Sequence, residues 1–243
     1  MTHPLTESRI SDTINRANQY PQKLGQDSLD YQLVRVRLAT IYLSDSSHGT
    51  AYFQKQLLDT DANPNAARVN RLGLTLALLR EREYAKAREA LAPLLMDDPQ
   101  RVDYIVAATE IDFAERQYEA AAKRIEPLLL RNPDNYPLLV YYARAQISDR
   151  HPELVIERLE AAARERSDDP QIWSLLLDAY TGSKNTLGIY RSKAEIYFLS
   201  GNNEKALEQL QLAATSAKNN YPLNAKIQKR MREMQPEQDK KDR

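Results

Sequence analysis

Residues 82–99 read REYAKAREALAPLLMDDP, and residues 116–133 read RQYEAAAKRIEPLLLRNP. Set one above the other, Tyr84 falls on Tyr118, Ala87 on Ala121, Leu91 on Ile125 and Leu94-Leu95 on Leu128-Leu129. Pro93 falls on Pro127 and Pro99 on Pro133, and every offset is 34 residues. Aliphatic, small and proline positions that coincide at one offset mark an internal repeat, which decides the fold before any single helix is read. The period continues more weakly on both sides. One step forward gives Val155, Leu159 and Ala162; one step back puts Leu57 under Leu91. In the half-repeat upstream, small residues recur as Thr75, Thr109 and Ala143, and the next step reaches Leu177 within Gln171–Tyr180.

This pattern resembles the tetratricopeptide repeat, a unit of 34 residues folded as two helices. Trp173, Leu176, Leu177 and Tyr180 match its first helix; Tyr84-x2-Ala87 and Tyr118-x2-Ala121 match its second, with Pro99 and Pro133 closing. Small residues suit the places where neighbouring helices approach closely. Large apolar residues fill the space beside them, and a closing proline cannot continue a helix. The expected fold is therefore all-α, a solenoid of helix hairpins that becomes irregular in its last third. Composition agrees: only six Gly occur, few for a chain of tight strand turns, and good helix formers dominate.

Helices are expected near 6–19, 28–44, 47–60, 66–81, 84–97, 100–115, 118–131, 135–148, 152–166, 170–181, 186–200, 203–218 and 221–234. Breaks are expected at Tyr20-Pro21, Asp61–Asn65, Asn132–Asn135 and Asp168–Pro170. The stretch 165–170 reads as holding about three residues beyond the strict period, so one hairpin is expected to be irregular there. After Tyr180 the phase is lost, then re-forms at Ser200-Gly201-Asn202 as a turn into a second-type helix. The helix from Pro222 to about Met234 is expected to cap the stack. Three segments result: 1–25, then the repeats at 26–235, then a solvated tail at 236–243.

Lys plus Arg and Asp plus Glu both total 34, which argues against a general binder of nucleic acid or anionic membrane. No apolar run approaches the roughly 20 residues of a membrane span. The start, Met1-Thr2-His3-Pro4, has neither the basic opening nor the apolar core of a signal peptide. The expectation is either a cytoplasmic protein or a fragment whose targeting segment lies upstream. Cysteine is absent, which excludes disulfides and thiolate chemistry.

Nothing in the sequence assembles a catalytic centre. His3, His48 and His151 have no second His at ligand spacing, and no H-E-x-x-H, phosphate-binding glycine loop or nucleophile elbow occurs. His48 and His151 read as solvated turn residues. Asp97-Asp98 and Asp168-Asp169 each precede a proline at a hairpin boundary and serve turns and caps. Tyr84, Tyr118, Tyr142, Tyr180 and Tyr197 sit at repeat-core positions, where packing explains them. The chain reads as a binder, with no catalytic, metal or cofactor residues of its own.

In the repeat family the first helix of each hairpin lines a concave groove. The resemblance places its groove positions at Leu72, Leu76 and Leu79, then Asp103, Val106, Glu110 and Phe113, then Val140, Arg144 and Ile147, then Asp178. Burial by a neighbouring helix explains Leu76 and Ile147 equally well. A clamp for a peptide C-terminal carboxylate would need Lys, Asn and Arg at these positions, and only Arg144 fits. A partner gripped through apolar contacts is expected in this groove.

One segment does not belong to the repeat. His3-Pro4-Leu5-Thr6-Glu7-Ser8-Arg9-Ile10 is similar to the end of the catalytic domain in a family of bacterial periplasmic zinc metalloproteases. Members carry H-E-x-x-H upstream and a tetratricopeptide domain downstream. The resemblance implies that residues 1–25 are the remnant of a protease domain plus a linker and that zinc belongs to that missing domain; for His3 two readings stay open, that it approaches the zinc in the intact protein or that Thr2-His3-Pro4 starts a helix. It implies a periplasmic location and, as partners, the protein's own protease domain, the outer-membrane β-barrel assembly machinery and immature barrel proteins. The other open reading is a free-standing repeat scaffold in secretion or pilus assembly.

Overall fold

The computed structural model describes residues 27–42, 46–58 and 64–235, with 11, 12, 14–16 and 19 besides. His3, the linker 20–26, the break at 61–63 and the tail 236–243 lie outside the described residues, as does most of the expected helix 6–19. Twelve helices follow among the described residues. They are α1 (Leu29–Tyr42), α2 (Ser46–Leu58), α3 (Pro64–Arg80), α4 (Tyr84–Asp97), α5 (Val102–Ala114) and α6 (Tyr118–Arg131). The stack continues as α7 (Tyr136–Ser148), α8 (Glu153–Glu165), α9 (Pro170–Gly182), α10 (Thr186–Leu199), α11 (Asn203–Ser216) and α12 (Tyr221–Met234). His48 lies within α2 and not in a turn.

The hairpins are built by one device used over and over. At the end of α3, α5, α7 and α9 the chain turns through a left-handed residue: Arg82, Arg116, Arg150 and Lys184, with φ of 64°, 60°, 65° and 57°. The N–H of the following residue reaches back to a carbonyl five residues earlier: Glu83 to Leu78, Gln117 to Asp112, His151 to Gln146 and Asn185 to Tyr180, all at 2.8–2.9 Å. This bond pattern satisfies carbonyls that a helix end leaves open. A basic residue there also faces the negative end of the helix dipole. A left-handed non-glycine residue is strained, and a β-branched one more so. Arg116→Ile is therefore expected to lower stability by about 1–2 kcal/mol, while Arg116→Gly changes it by less than about 0.5 kcal/mol. Urea unfolding followed by circular dichroism reads both.

The structure corrects the expected irregularity at 165–170. α5, α7 and α9 begin at Val102, Tyr136 and Pro170, a strict 34-residue spacing. Proline was the misleading landmark: Pro133 stands before the cap Asn135, whereas Pro170 stands just after the cap Asp169. The caps are the constant points, because Asn135 and Asp169 both accept a backbone N–H of the first turn.

The true irregularity comes later. Gly201, with φ 79°, makes the same turn half a repeat after Lys184, and Asn202 N–H bonds the Tyr197 carbonyl at 2.8 Å. α10 thus ends the α9 hairpin and also begins a hairpin with α11. The core shows the slip. One buried cluster runs from Leu33 to Ile111 and a second from Ile105 to Tyr180, both fed by α5. A third, from Ala194 to Met234, is separate. Within the regular part Thr75, Thr109 and Ala143 are fully buried, as expected of the close-contact column.

Candidate partner-binding groove

The first helices α3, α5, α7 and α9 carry the expected groove positions, and the fold sorts them. Leu72 and Leu76 are buried in one cluster with Leu33 and Val36 of α1. Val140 is buried with Leu175 and Leu176 of α9. These three belong to the core and not to an open groove, because successive first helices pack side by side over them. Leu79, Val106, Phe113 and Ile147 are half-buried against the same clusters. Asp103 is half-buried with its carboxylate 3.9 Å from Arg101. Asp178 is exposed, although partial desolvation raises its pKa.

Glu110, Phe113 and Arg144 are drawn together. Both oxygens of Glu110 accept from Arg37 Nη1, at 2.8 and 2.9 Å. Its Oε1 also accepts the Tyr141 hydroxyl at 2.6 Å. Phe113 stands beside Tyr141, ring centroids 6.4 Å apart, and beside Tyr118 at 6.0 Å. The Arg144 guanidinium lies over the Phe113 ring, 5.3 Å from its centroid, close enough for a cation–π attraction. Burial, together with the adjacent Glu110 charge, holds the Tyr141 hydroxyl above the usual range.

Arg37 and Tyr141 were absent from the sequence-based groove. Tyr141 had a visible signal: its repeat column holds Gly73 and Ala107, so one large aromatic breaks a run of small residues. Arg37 had none, since it reaches past α3 to a partner 73 residues away. One of its guanidinium nitrogens, Nη2, is buried without a hydrogen-bond partner among the described residues.

The arrangement joins α1, α5 and α7 through one carboxylate, one hydroxyl and two arginines. Glu110 is paired with Arg37 and bonded by the Tyr141 hydroxyl, and Arg144 is exposed above the Phe113 ring. It presents partly exposed apolar rings and, at Arg144, a positive charge with no ion pair among the described residues. Among the described residues no three His, Asp or Glu side chains come together as metal ligands. No helix among them is long and apolar enough to cross a membrane.

The chain is a tetratricopeptide-repeat solenoid, a fold that serves as a protein–protein interaction module. The tetratricopeptide repeat family matches residues 112–179. The crystal structure of a tetratricopeptide repeat protein from Parabacteroides merdae superposes with a TM-score of 0.54. It covers 84% of this chain and 94% of that one at 12% identity, which speaks for the fold alone. In sequence the chain is similar to the beta-barrel assembly-enhancing protease of Escherichia coli K12, with 37% identity over 114 residues. The Yersinia pestis protein of the same name is 31% identical over 112 residues, and a putative one from Vibrio cholerae is 30% identical over 114. Each match takes in 46% of this chain and 23% of the relative, so the aligned part is about a quarter of the relatives' length.

Proposed function

We propose that this chain is the docking module of a periplasmic zinc metalloprotease and chaperone acting in outer-membrane protein quality control. In this reading it receives immature barrel proteins, subunits of the β-barrel assembly machinery, or both. The observation that carries it is the Arg37–Glu110–Tyr141 cluster with Phe113 and Arg144 beside it, on a chain similar to proteins named for barrel assembly and proteolysis. Leu79, Asp103, Val106, Ile147 and Asp178 extend the surface along α3, α5, α7 and α9. Zinc belongs in this reading to the protease domain, with His3 approaching it there.

The protein's own protease domain has a face to rest on. Tyr31, Val34, Leu38 and Ile41 form a stripe at helical spacing on α1, each about half exposed. Apolar stripes of this kind mark interaction surfaces.

Immobilised chain is expected to capture barrel-assembly subunits from a solubilised outer-membrane extract. Arg144→Glu and Phe113→Ala should each weaken that capture about tenfold, the loss typical of a binding hot spot. Helical circular dichroism of both variants should match the parent, because Arg144 is exposed and Phe113 half-buried. Failure to enrich these subunits would overturn the docking reading and leave a free-standing scaffold.

A further inference from the structure

A second site lies at the other end of the molecule, where the register slips. α12 folds back so that Leu223 and Lys226 face Trp173 of α9 and Arg191 of α10 across a cleft. The cleft has two adjoining chambers of about 340 and 180 Å³, near the lower end of small-ligand pockets.

Its charges do not cancel. Glu195 is held by both Nε and Nη2 of Arg230 at 2.8 Å, and Arg230 also bonds Glu233 at 2.9 Å. Glu160 accepts the Tyr180 hydroxyl, and Arg191 comes no nearer to it than 3.9 Å. Arg164 and Lys226 are exposed at the cleft and form no ion pair among the described residues. Two cations therefore face the opening without an ion-pair partner among the described residues.

The other walls are of different character. Trp173 gives its indole N–H to the Ser167 carbonyl at 2.9 Å, so only its apolar ring is left for the cleft. Leu176 and Leu223 flank it. Ser192 also lines this space; it is fully buried, and its hydroxyl has no hydrogen-bond partner among the described residues. Buried hydroxyls in folded proteins are nearly always bonded, so an orphan beside free cations and an apolar wall points to a missing acceptor.

We infer that this cleft binds the C-terminal end of a partner polypeptide: the α-carboxylate between Arg164, Arg191 and Lys226, and a large apolar last side chain against Trp173. A carboxylate accepts from several donors at once, and charge-assisted bonds of this kind are the strong ones. The space suits one or two residues. The site is separate from the groove of Arg144 and stands whether or not that groove binds barrel-assembly proteins.

Trp173 is the single tryptophan of the chain, so its fluorescence reports the cleft directly. The probe is a hexapeptide ending in phenylalanine with a free carboxylate, compared with the same peptide amidated at its C-terminus. The free acid is expected to change Trp173 emission saturably and to bind at least tenfold tighter than the amide. Lys226→Glu and Arg164→Glu should each weaken it at least tenfold with circular dichroism unchanged, and Arg144→Glu should leave it as it was. Equal binding of acid and amide would overturn the inference, as would full competition by millimolar inorganic phosphate, which would indicate a simple anion site. Loss of binding in Arg144→Glu would likewise overturn it, by placing the peptide in the groove.

Discussion

Replacing Gly188 by valine is expected to undo the packing of α10 on α9 and to destabilise the C-terminal third of the chain. A Cβ at this position would lie 2.3, 2.4 and 2.6 Å from Cγ, Cδ1 and Cδ2 of Tyr180. These are ring atoms next to the backbone and not the end of a flexible chain, so the ring must move as a whole. It has nowhere to go: Tyr180 is 4% exposed and its hydroxyl is bonded to Glu160 of α8. Overpacking of a tight core usually costs 1–3 kcal/mol, and with the ring held at both ends a loss of about 3 kcal/mol or more is expected. Thermal unfolding should fall by roughly 6–12 °C, with Trp173 fluorescence changing ahead of total helicity. Gly201→Ala is the control. Nothing lies within 4 Å of its Cβ, and its φ of 79° carries only local strain, so a loss of about 1 kcal/mol is expected. Equal losses in the two variants would show that the α9–α10 contact is not close-packed.

Asp112→Ala is the second large effect. Its side chain is 1% exposed, and it joins three helices: Oδ1 accepts from Arg88 of α4 and Oδ2 from Arg124 of α6, both at 2.8 Å. Removing one partner of a buried ion pair typically costs 3–5 kcal/mol, because the other charge is left unpaired. Arg88 keeps Glu115, and both arginines are about one-third exposed, so the lower end, about 3 kcal/mol, applies. Urea midpoint and Tm should both fall, by roughly 6–12 °C in the latter. Asp112→Asn should recover little, since an amide keeps the shape but not the charge. A near-neutral Asp112→Ala would mean that water already satisfies the two arginines.

Asp112 and Tyr180 share one repeat column with Leu78 and Gln146, and all four are buried. The sequence placed Tyr180 in the core, and the burial of the other three follows because every repeat lays the same helix face on the same neighbours. Their chemistry was not. A leucine, a carboxylate, an amide and a phenol at equivalent positions find partners on different helices, and only the neighbours present in each repeat decide which. The groove divided in the same way. The resemblance placed Glu110, Phe113 and Arg144 in the groove, and they stand together at the surface; Leu72, Leu76 and Val140, placed there too, lie in the core. Position in a repeat says which side a residue faces, and the approach of the next first helix says whether any space remains there.

The sequence by itself determined the all-α class, the 34-residue hairpin unit and, to within two residues, the helix boundaries between Leu29 and Met234. It also marked the turn at Ser200-Gly201-Asn202, since those signals are local or recur between adjacent repeats. Only the tertiary structure decided the bond from Arg37 to Glu110 across a whole repeat, the double use of α10, and the cleft that α12 closes over Trp173. These depend on how far the stack curves and on how α12 lies against α9 and α10. Curvature is a sum of small rotations over many contacts, and no single column of the repeat records it.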